Sequence, residues 1–401
     1  MVRRNGGFIG TDGLDAPDPP RGVAGTAGDA SVSVAFTAPT DVGTSAITGF
    51  VAQVSTDDTA YNAGSNTGTS SPIVVSSLTN DTAATVKVWA INAYGTSAPS
   101  DASASFTPVL GVYVLVAGLG TSYSNAEEIN VFNINSSANA TDFGNLSVPR
   151  DGGAAIGAAA RIVFVGGRDA DTAPYNTMDY VNPTSAGNAA DFGDLTTARR
   201  IPAAFGNSTR GIIAGGEGNG VTNVIEYITI ANTGNSVDFG DLTVGCDQTS
   251  GFASPTRGVK SGGRGSNSAS LDVLEYVTIA NTGNGTDFGN LTLVRSNLGA
   301  CSSATRGLTA GGFDTGANTN VIDYVTIASA GNASDFGDLS ADRRRVRGAS
   351  SLTKGVFILS SRPTDIVTIA TTGNATSFID LTTKTVENGN MANSNGHGGL
   401  T

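Results

Sequence analysis

A Phe-x-x-Leu pair recurs six times between residues 143 and 381, and no other feature limits the possible folds as tightly. The pairs are Phe143/Leu146, Phe192/Leu195, Phe239/Leu242, Phe288/Leu291, Phe336/Leu339 and Phe378/Leu381. Successive phenylalanines stand 49, 47, 49, 48 and 42 residues apart. A period in this range, with short strand-like runs inside each unit, marks a β-propeller or a similar repeat array. In such arrays one unit buries its apolar face against the next.

A representative unit reads TRGIIAGGEGNGVTNVIEYITIANTGNSVDFGDLT. It holds an apolar strand closed by Gly-Gly, a variable loop, a strand with a Tyr, a TGN-type turn and the Phe-x-x-Leu strand. Small residues then lead to the next TRG turn, which makes the four short strands of a propeller blade. Gly-Gly falls at 166–167, 215–216, 262–263 and 311–312, with Ala117-Gly118 and Ser360-Ser361 in the outer units. Tyr180, Tyr227, Tyr276 and Tyr324 each lie twelve residues before their Phe, and Val131 and Ile366 take that place in the outer units. Arg150, Arg199, Arg295 and Arg343 each follow the Leu by four residues. The first unit begins at its second strand, GVYVLVAG. The segment TVENGNMANSNGHGG is therefore expected to return and complete it, pairing the exposed edges of the ring.

Composition agrees with strands and tight turns. Gly, at 54 of 401 residues, is about twice its usual share. No segment of useful length has helical periodicity, and no apolar run is long enough to span a bilayer as a helix. The opening MVRRNGGFIGTDG has no apolar core, so a secretory signal is not expected. A net charge of −12 argues against nucleic acid as the main ligand. The only cysteines, Cys246 and Cys301, occupy different repeat positions and are expected as buried free thiols rather than a disulfide. One histidine, His397, and two unaligned cysteines supply neither a metal constellation nor a histidine triad. No metal, cofactor or catalytic residue is expected, and the chain reads as a non-enzyme.

Residues 1–14 form a polar Gly-rich arm suited to anchoring on a neighbouring subunit. Residues 15–108 contain about seven short strands, among them SVSVAFTAP, ITGFVAQVS, SPIVVSSLT and ATVKVWAINAYG, as an immunoglobulin-like sandwich requires. Residues 109–401 hold the repeats.

Pro19-Pro20, Leu78, the Val86-x-Val88-x-Ala90-x-Asn92 strand and Tyr94-Gly95-Thr96-Ser97 make the first domain resemble a fibronectin type III module. The order Gly-Gly, Tyr, aromatic, Leu, Arg makes the repeats similar to kelch repeats, which carry Trp where this chain has Phe. The expected fold is all-β: a fibronectin type III-like sandwich followed by a six-bladed kelch-like β-propeller. Together, the TRG, AGG, EYITI and TGNSVDFGDLT strings and the domain order resemble virion fibre proteins of tailed bacteriophages. That resemblance implies a non-enzymatic virion protein, assembled in the host cytoplasm, with a tail-fibre or host-attachment role. Its partners would be other virion proteins, through the arm and sandwich, and a host surface glycan or protein, through the propeller. It would act as a homo-oligomer or in many copies, without membrane insertion. The alternatives are an architectural head-decoration or tail-knob protein and a secreted carbohydrate-binding or carbohydrate-active propeller.

Loop variability places the candidate ligand site. The TRG and TGN turns on one face are nearly uniform, whereas the loops after Gly-Gly differ in every unit. Variable loops on a rigid scaffold tend to carry binding residues. The candidates are Tyr123, Asp169, Asp171, Tyr175, Glu217, Arg264, Phe313 and Asp314. The Asp before each Phe (Asp142, Asp191, Asp238, Asp287, Asp335) is expected to cap an Asx-type turn rather than bind calcium. The run Arg343-Arg344-Arg345 is expected in a solvated loop or a subunit contact.

Overall fold

The computed structural model describes residues 15–80, 82–108, 111–120, 126–169, 173–358, 363–381 and 391–400. The expected arm over residues 1–14 lies outside them. The chain divides into two compact units, Met1–Gly111 and Val112–Thr401. Both are built from antiparallel strands, and the only helical segment among the described residues is the 3-10 turn Gly398–Leu400.

The first unit has two sheets. One runs Arg21–Gly28, Ser31–Thr37, Ile73–Ser76; the other runs Gly64–Gly68, Ile47–Ser55, Thr85–Asn92, Gly95–Thr96. Period-2 alternation turns Val32, Val34 and Phe36 of one sheet and Phe50, Val54, Val86 and Val88 of the other into a single core. Beyond the last strand, serines at every third position replace strand pairing. The hydroxyls of Ser97, Ser100 and Ser103 accept from the amides of Ala90, Val88 and Val86 at 2.9, 3.0 and 3.1 Å.

The second unit contains six sheets of the same plan. The innermost strands, in chain order from the second sheet, are Ala154–Ala158, Ala203–Gly206, Ser250–Ala253, Gly299–Ser302 and Arg347–Ser350. The first sheet takes its innermost strand, Met391–Ser394, from the C-terminus, antiparallel to Tyr113–Leu119. These six strands pack neighbour to neighbour in a closed cycle, with Met391–Ser394 between Arg347–Ser350 and Ala154–Ala158.

Each Phe-x-x-Leu pair packs between its own sheet and the next, fully buried in the first five and partly buried in the sixth. Phe192 and Leu195 meet Ile213, Ile228 and Ile230. Phe288 and Leu291 meet Ala300, Val325 and Ile327. Phe378 and Leu381 of the sixth sheet pack on Val114, Val116 and Phe132 of the first. Four tyrosines stand edge-on to their phenylalanines at 6.0–6.1 Å between ring centroids. The preceding TRG-position arginine lies over each tyrosine: Arg161, Arg210, Arg257 and Arg306, at 4.2–4.5 Å from the ring centroid. Their guanidiniums also donate to carbonyls of the following sheet, those of Ile230, Ile279, Ile327 and Ile369.

The turns before Phe join the sheets by a second route. The carboxamide oxygens of Asn188, Asn235, Asn284, Asn332 and Asn374 accept from the backbone amides of Asn145, Asp194, Asp241, Asn290 and Asp338 in the preceding sheet, all at 3.0 Å. Asn139 of the first sheet accepts from Asp380 of the sixth at 3.1 Å and closes the series. This corrects the expectation that the Asp before Phe caps the turn. Of those five aspartates only Asp191 makes a side-chain hydrogen bond, to the Gly193 amide at 3.2 Å, and the asparagine of the neighbouring turn does the joining.

The glycine after each of the first five Phe residues sits at a bulge, at φ from +138° to +150°. A Cβ on Gly240 would strike the Gly283 carbonyl of the next sheet's turn, whereas a Cβ on Gly283 would meet nothing within 4 Å. Gly240→Ala is expected to cost about 2–4 kcal/mol through strain and displacement of the turn. Gly283→Ala should stay within about 0.5 kcal/mol of wild type. Urea unfolding of both variants checks this, and equal stabilities would contradict the packing described.

Candidate functional site

The inner strands all run the same way, so the second unit has two distinct ends. At the end where the inner strands finish, near the TRG turns, the C-terminal tail fills the centre. His397 is 7% exposed. Its Nδ1 accepts from the Gly399 amide at 3.1 Å, so Nε2 carries the proton and donates to the Gly157 carbonyl at 2.8 Å. A Cβ on Gly398 would collide with the backbone of Ser303, and one on Gly399 with the Gly206 carbonyl. Two glycines therefore let the tail pass close to the surrounding strand ends. The single histidine is part of this plug.

At the other end the inner strands begin, and here the backbone builds a rim. Gly152, Ile201, Gln248, Asn297 and Arg345 each stand nine residues after a Phe. All five are left-handed, with φ of 64°, 48°, 51°, 57° and 61°. Each one's amide donates to the carbonyl of the one before it: Ile201 to Gly152 at 2.5 Å, Gln248 to Ile201 at 3.1 Å, Asn297 to Gln248 at 2.8 Å and Arg345 to Asn297 at 2.6 Å. The residue before each of the first four rim positions faces the residue just after Gly-Gly. Asp151 bridges Arg168, Arg200 bridges Glu217 and Ser296 bridges Phe313, while Asp247 pairs Arg264 in register.

Three of these couples are ion pairs. Arg168 Nε lies 3.1 Å from Asp151, Arg200 lies 2.9 Å from Glu217, and Arg264 lies 2.6 Å from Asp247 and 3.4 Å from Glu217. The side chains of Asp151 and Asp247 are 1% and 0% exposed, against 15% and 30% for their arginines. Burial raises the pKa of both carboxyls, and their arginines oppose the rise. Within the rim lies a cavity of about 710 Å³ whose wall includes Arg168, Arg200, Arg264, Arg344 and Arg345 together with Phe313, Gln248 and Asn297. The Arg344 guanidinium lies 5.5 Å from the Phe313 ring centroid.

Of the residues expected from loop variability, Arg264 and Phe313 line this cavity, and Glu217 stands behind it holding two arginines. Asp169 instead closes its own loop, accepting from the Ala173 amide at 2.9 Å. Tyr175 and Asp314 are not on the wall; Tyr175 contributes backbone hydrogen bonds to Gly167 and Arg199. Tyr123 and Asp171 lie outside the described residues. The loop comparison missed Arg168, Arg200, Arg344 and Arg345. Counting nine residues past each Phe would have found the rim. Arg344 and Arg345, expected in a solvated loop or a subunit contact, stand in the bend between two strands, where Arg344 is exposed and both line the cavity.

Deeper charges are committed to structure. Three of the four arginines that follow Leu by four residues are buried against the acid that precedes the Tyr: Arg150 to Asp179 at 2.8 Å, Arg199 to Glu226 at 2.6 Å and Arg295 to Asp323 at 2.7 Å. The same acids also hold the Ser or Thr after Leu; Asp179, for example, accepts from Ser147 Oγ at 2.7 Å. In the fourth sheet Lys260, from the neighbouring strand, stands 3.8 Å from Glu275, with Cys246 occupying the arginine's sequence position. Both thiols are buried and free, and burial raises the pKa of each. Among the described residues no group of three His, Cys, Asp or Glu side chains could hold a metal ion.

No family model matches this chain, and no curated protein is similar to it.

The plug predicts a pH dependence. Burial lowers the His397 pKa below its ordinary 6.5, and the Gly157 hydrogen bond only partly opposes this. Below about pH 6.5 the unfolded chain takes up a proton that the folded chain refuses, so stability falls as pH drops toward the folded pKa. The slope is at most about 1.4 kcal/mol per pH unit. His397→Gln removes this contribution. The stability difference between wild type and variant, measured by urea unfolding, should shrink from pH 7.5 to pH 5; a constant difference would overturn the assignment.

Proposed function

We propose that the first unit is a fibronectin type III-like sandwich and the second a six-bladed kelch-like β-propeller. We further propose a non-enzymatic virion structural protein, of the tail-fibre or tail-associated adhesin kind, that attaches a bacteriophage to its host. The strand orders of the two sheets in the first unit and the cyclic packing of six four- or five-stranded sheets support the fold reading. The repeat strings and domain order support the virion reading. In it, the arm and sandwich contact other virion proteins, and the variable-loop end of the propeller faces the host.

One observation carries this choice of face. Side chains that differ from blade to blade converge on an open cavity at the variable-loop end, while the other end has uniform turns and is filled by the tail. The buried ion pairs leave the deeper acids and arginines occupied in holding strands together, which favours binding over catalysis.

Labelled full-length protein tests the reading on host cells. Phe313→Ala should reduce adsorption at least about fivefold, the scale of about 1 kcal/mol or more at a binding contact. Thr282→Ala, exposed in a TGN turn at the opposite end, should leave it unchanged. If the two variants behave alike, an architectural head-decoration or tail-knob role replaces the attachment role.

A further inference from the structure

In four sheets of the second unit a tyrosine stands edge-on to the Phe, and an arginine lies over the tyrosine. The four phenylalanines so covered, Phe192, Phe239, Phe288 and Phe336, are each 2% exposed. In the first sheet Val131 takes the tyrosine position. There Tyr113, from the neighbouring strand, packs with Val131 on the cluster that holds Phe143, which is 4% exposed. The sixth sheet has no such tyrosine among the described residues. Its register is that of the others: Lys354 faces Thr368 as Arg306 faces Thr326, and Ile366 faces Val356 as Tyr324 faces Leu308. Ile366 thus holds the tyrosine's place and Lys354 the arginine's. Phe378 meets Phe132 of the first sheet at 6.2 Å between ring centroids, yet it remains only partly buried. A cavity of about 440 Å³ lies at this place, lined by Lys354, Ile366, Phe378 and the turn 371–374.

We propose that this cavity receives a tyrosine side chain of a separate partner protein. The proposal does not depend on which end of the second unit meets the host. Its walls supply what holds a tyrosine four times elsewhere in the molecule: a Phe to meet edge-on and a cation to lie over the ring. The Lys354 ammonium is held across the joint between the sixth and first sheets by the Ile134 carbonyl, at 3.5 Å. A cation so placed attracts the face of an aromatic ring, and the attraction grows as water is displaced. An aliphatic side chain gains the burial but not this attraction. Tyrosine suits an open cavity because its ring packs on Ile366 and Phe378 while its hydroxyl stays in water. A cavity of about 150 Å³ suffices for a benzene ring. The remaining space admits the peptide backbone on either side of the tyrosine, and the exposed Thr371 and Thr372 at the edge of the cavity offer it hydroxyls. A protein is therefore a better occupant than a free phenol.

Nuclear magnetic resonance on the full chain with labelled isoleucine methyls tests the proposal, with Ile366 and the neighbouring Ile134 as reporters. The probes are three blocked tripeptides carrying tyrosine, cyclohexylalanine or leucine between two glycines. The tyrosine peptide should give saturable shifts. The leucine peptide should bind at least about fivefold more weakly and the cyclohexylalanine peptide, which keeps the shape without the aromatic face, at least about threefold more weakly. Lys354→Met keeps the stem and removes the charge; it should weaken the tyrosine peptide at least about threefold and leave the leucine peptide unchanged. Ile366→Tyr supplies the ring from the chain itself. It should abolish binding, as read at Ile134, and melt no lower than wild type. Thermal melts establish that each variant is folded; should Ile366→Tyr fail to fold, the Lys354→Met comparison decides alone. No saturable shift up to about 20 mM tyrosine peptide, equal binding of the leucine peptide, or unchanged binding in the folded variants overturns the proposal. Sedimentation separates a partner from a second copy. Tyr94 is half exposed and is the most exposed of the described tyrosines. Self-association that both Ile366→Tyr and Tyr94→Ala abolish would assign the tyrosine to a second copy and overturn the separate partner.

Discussion

Every sheet of the second unit has two faces that must be covered, and only another sheet of the same kind can cover them. The Phe-x-x-Leu pair meets this need because it lies in the layer between one sheet and the next. Burial of such side chains is worth about 1.5–3 kcal/mol each, so a sheet left without a neighbour would forfeit most of its stability. A linear stack would leave two faces uncovered; a cycle leaves none. The return of Met391–Ser394 to the edge of Tyr113–Leu119 follows from this economy, since it ties the last segment of the chain into the first sheet. The polar contacts follow the same cycle. Asn139 receives the Asp380 amide as the other turn asparagines receive theirs, and Lys354 reaches the Ile134 carbonyl at 3.5 Å where Arg306 reaches that of Ile369.

The buried ion pairs show how this scaffold tolerates sequence change. Removing one partner of a buried pair costs about 3–5 kcal/mol because the other charge is stranded. In the fourth sheet the arginine position holds Cys246, yet Glu275 keeps a cation because Lys260 reaches it from the adjacent strand. The charge has changed strands while the acid stays in place. Acids at this position also accept hydrogen bonds from the residue after Leu, as Glu275 does from the Thr243 amide at 2.6 Å. The acid is thus tied to the end of the Phe-x-x-Leu strand of the preceding sheet, and the cation must be supplied from wherever the local sequence allows.

The elements legible in the sequence were those written as apolar or glycine periodicities. Phe and Leu at a fixed interval, Tyr twelve residues earlier and Gly-Gly at strand ends each have one physical use, and each repeats. The polar partnerships were less legible because their two halves sit on different strands or different sheets. Arg295 was visible as a recurrent residue, but its partner Asp323 was one acid among many until the strands were paired. The aspartates before Phe were misread because local turn chemistry looked sufficient; the fixed neighbour was an asparagine about forty residues away. In the candidate site, Arg264 and Phe313 were legible from loop variability because they immediately follow Gly-Gly or its equivalent place in the repeat. Arg168 holds the same place and was passed over. Arg200, Arg344 and Arg345 come from the opposite side of the rim, where no loop varies in length.

That rim explains why the two ends of the second unit could evolve under different rules. Its continuity comes from backbone amides donating to backbone carbonyls, from Arg345 back to Gly152. Glycine, isoleucine, glutamine, asparagine and arginine all serve, even though a left-handed β-branched residue such as Ile201 carries a strain cost. A support made of backbone does not specify the side chains it displays. The opposite end is held by side chains: arginines on tyrosines, asparagines on amides and a histidine in the plug. Substitution there removes a support, so the residues stay uniform. Around the cavity the backbone rim leaves side chains free to differ from blade to blade, except where an arginine covers a buried carboxylate, as Arg168 does Asp151 and Arg264 does Asp247.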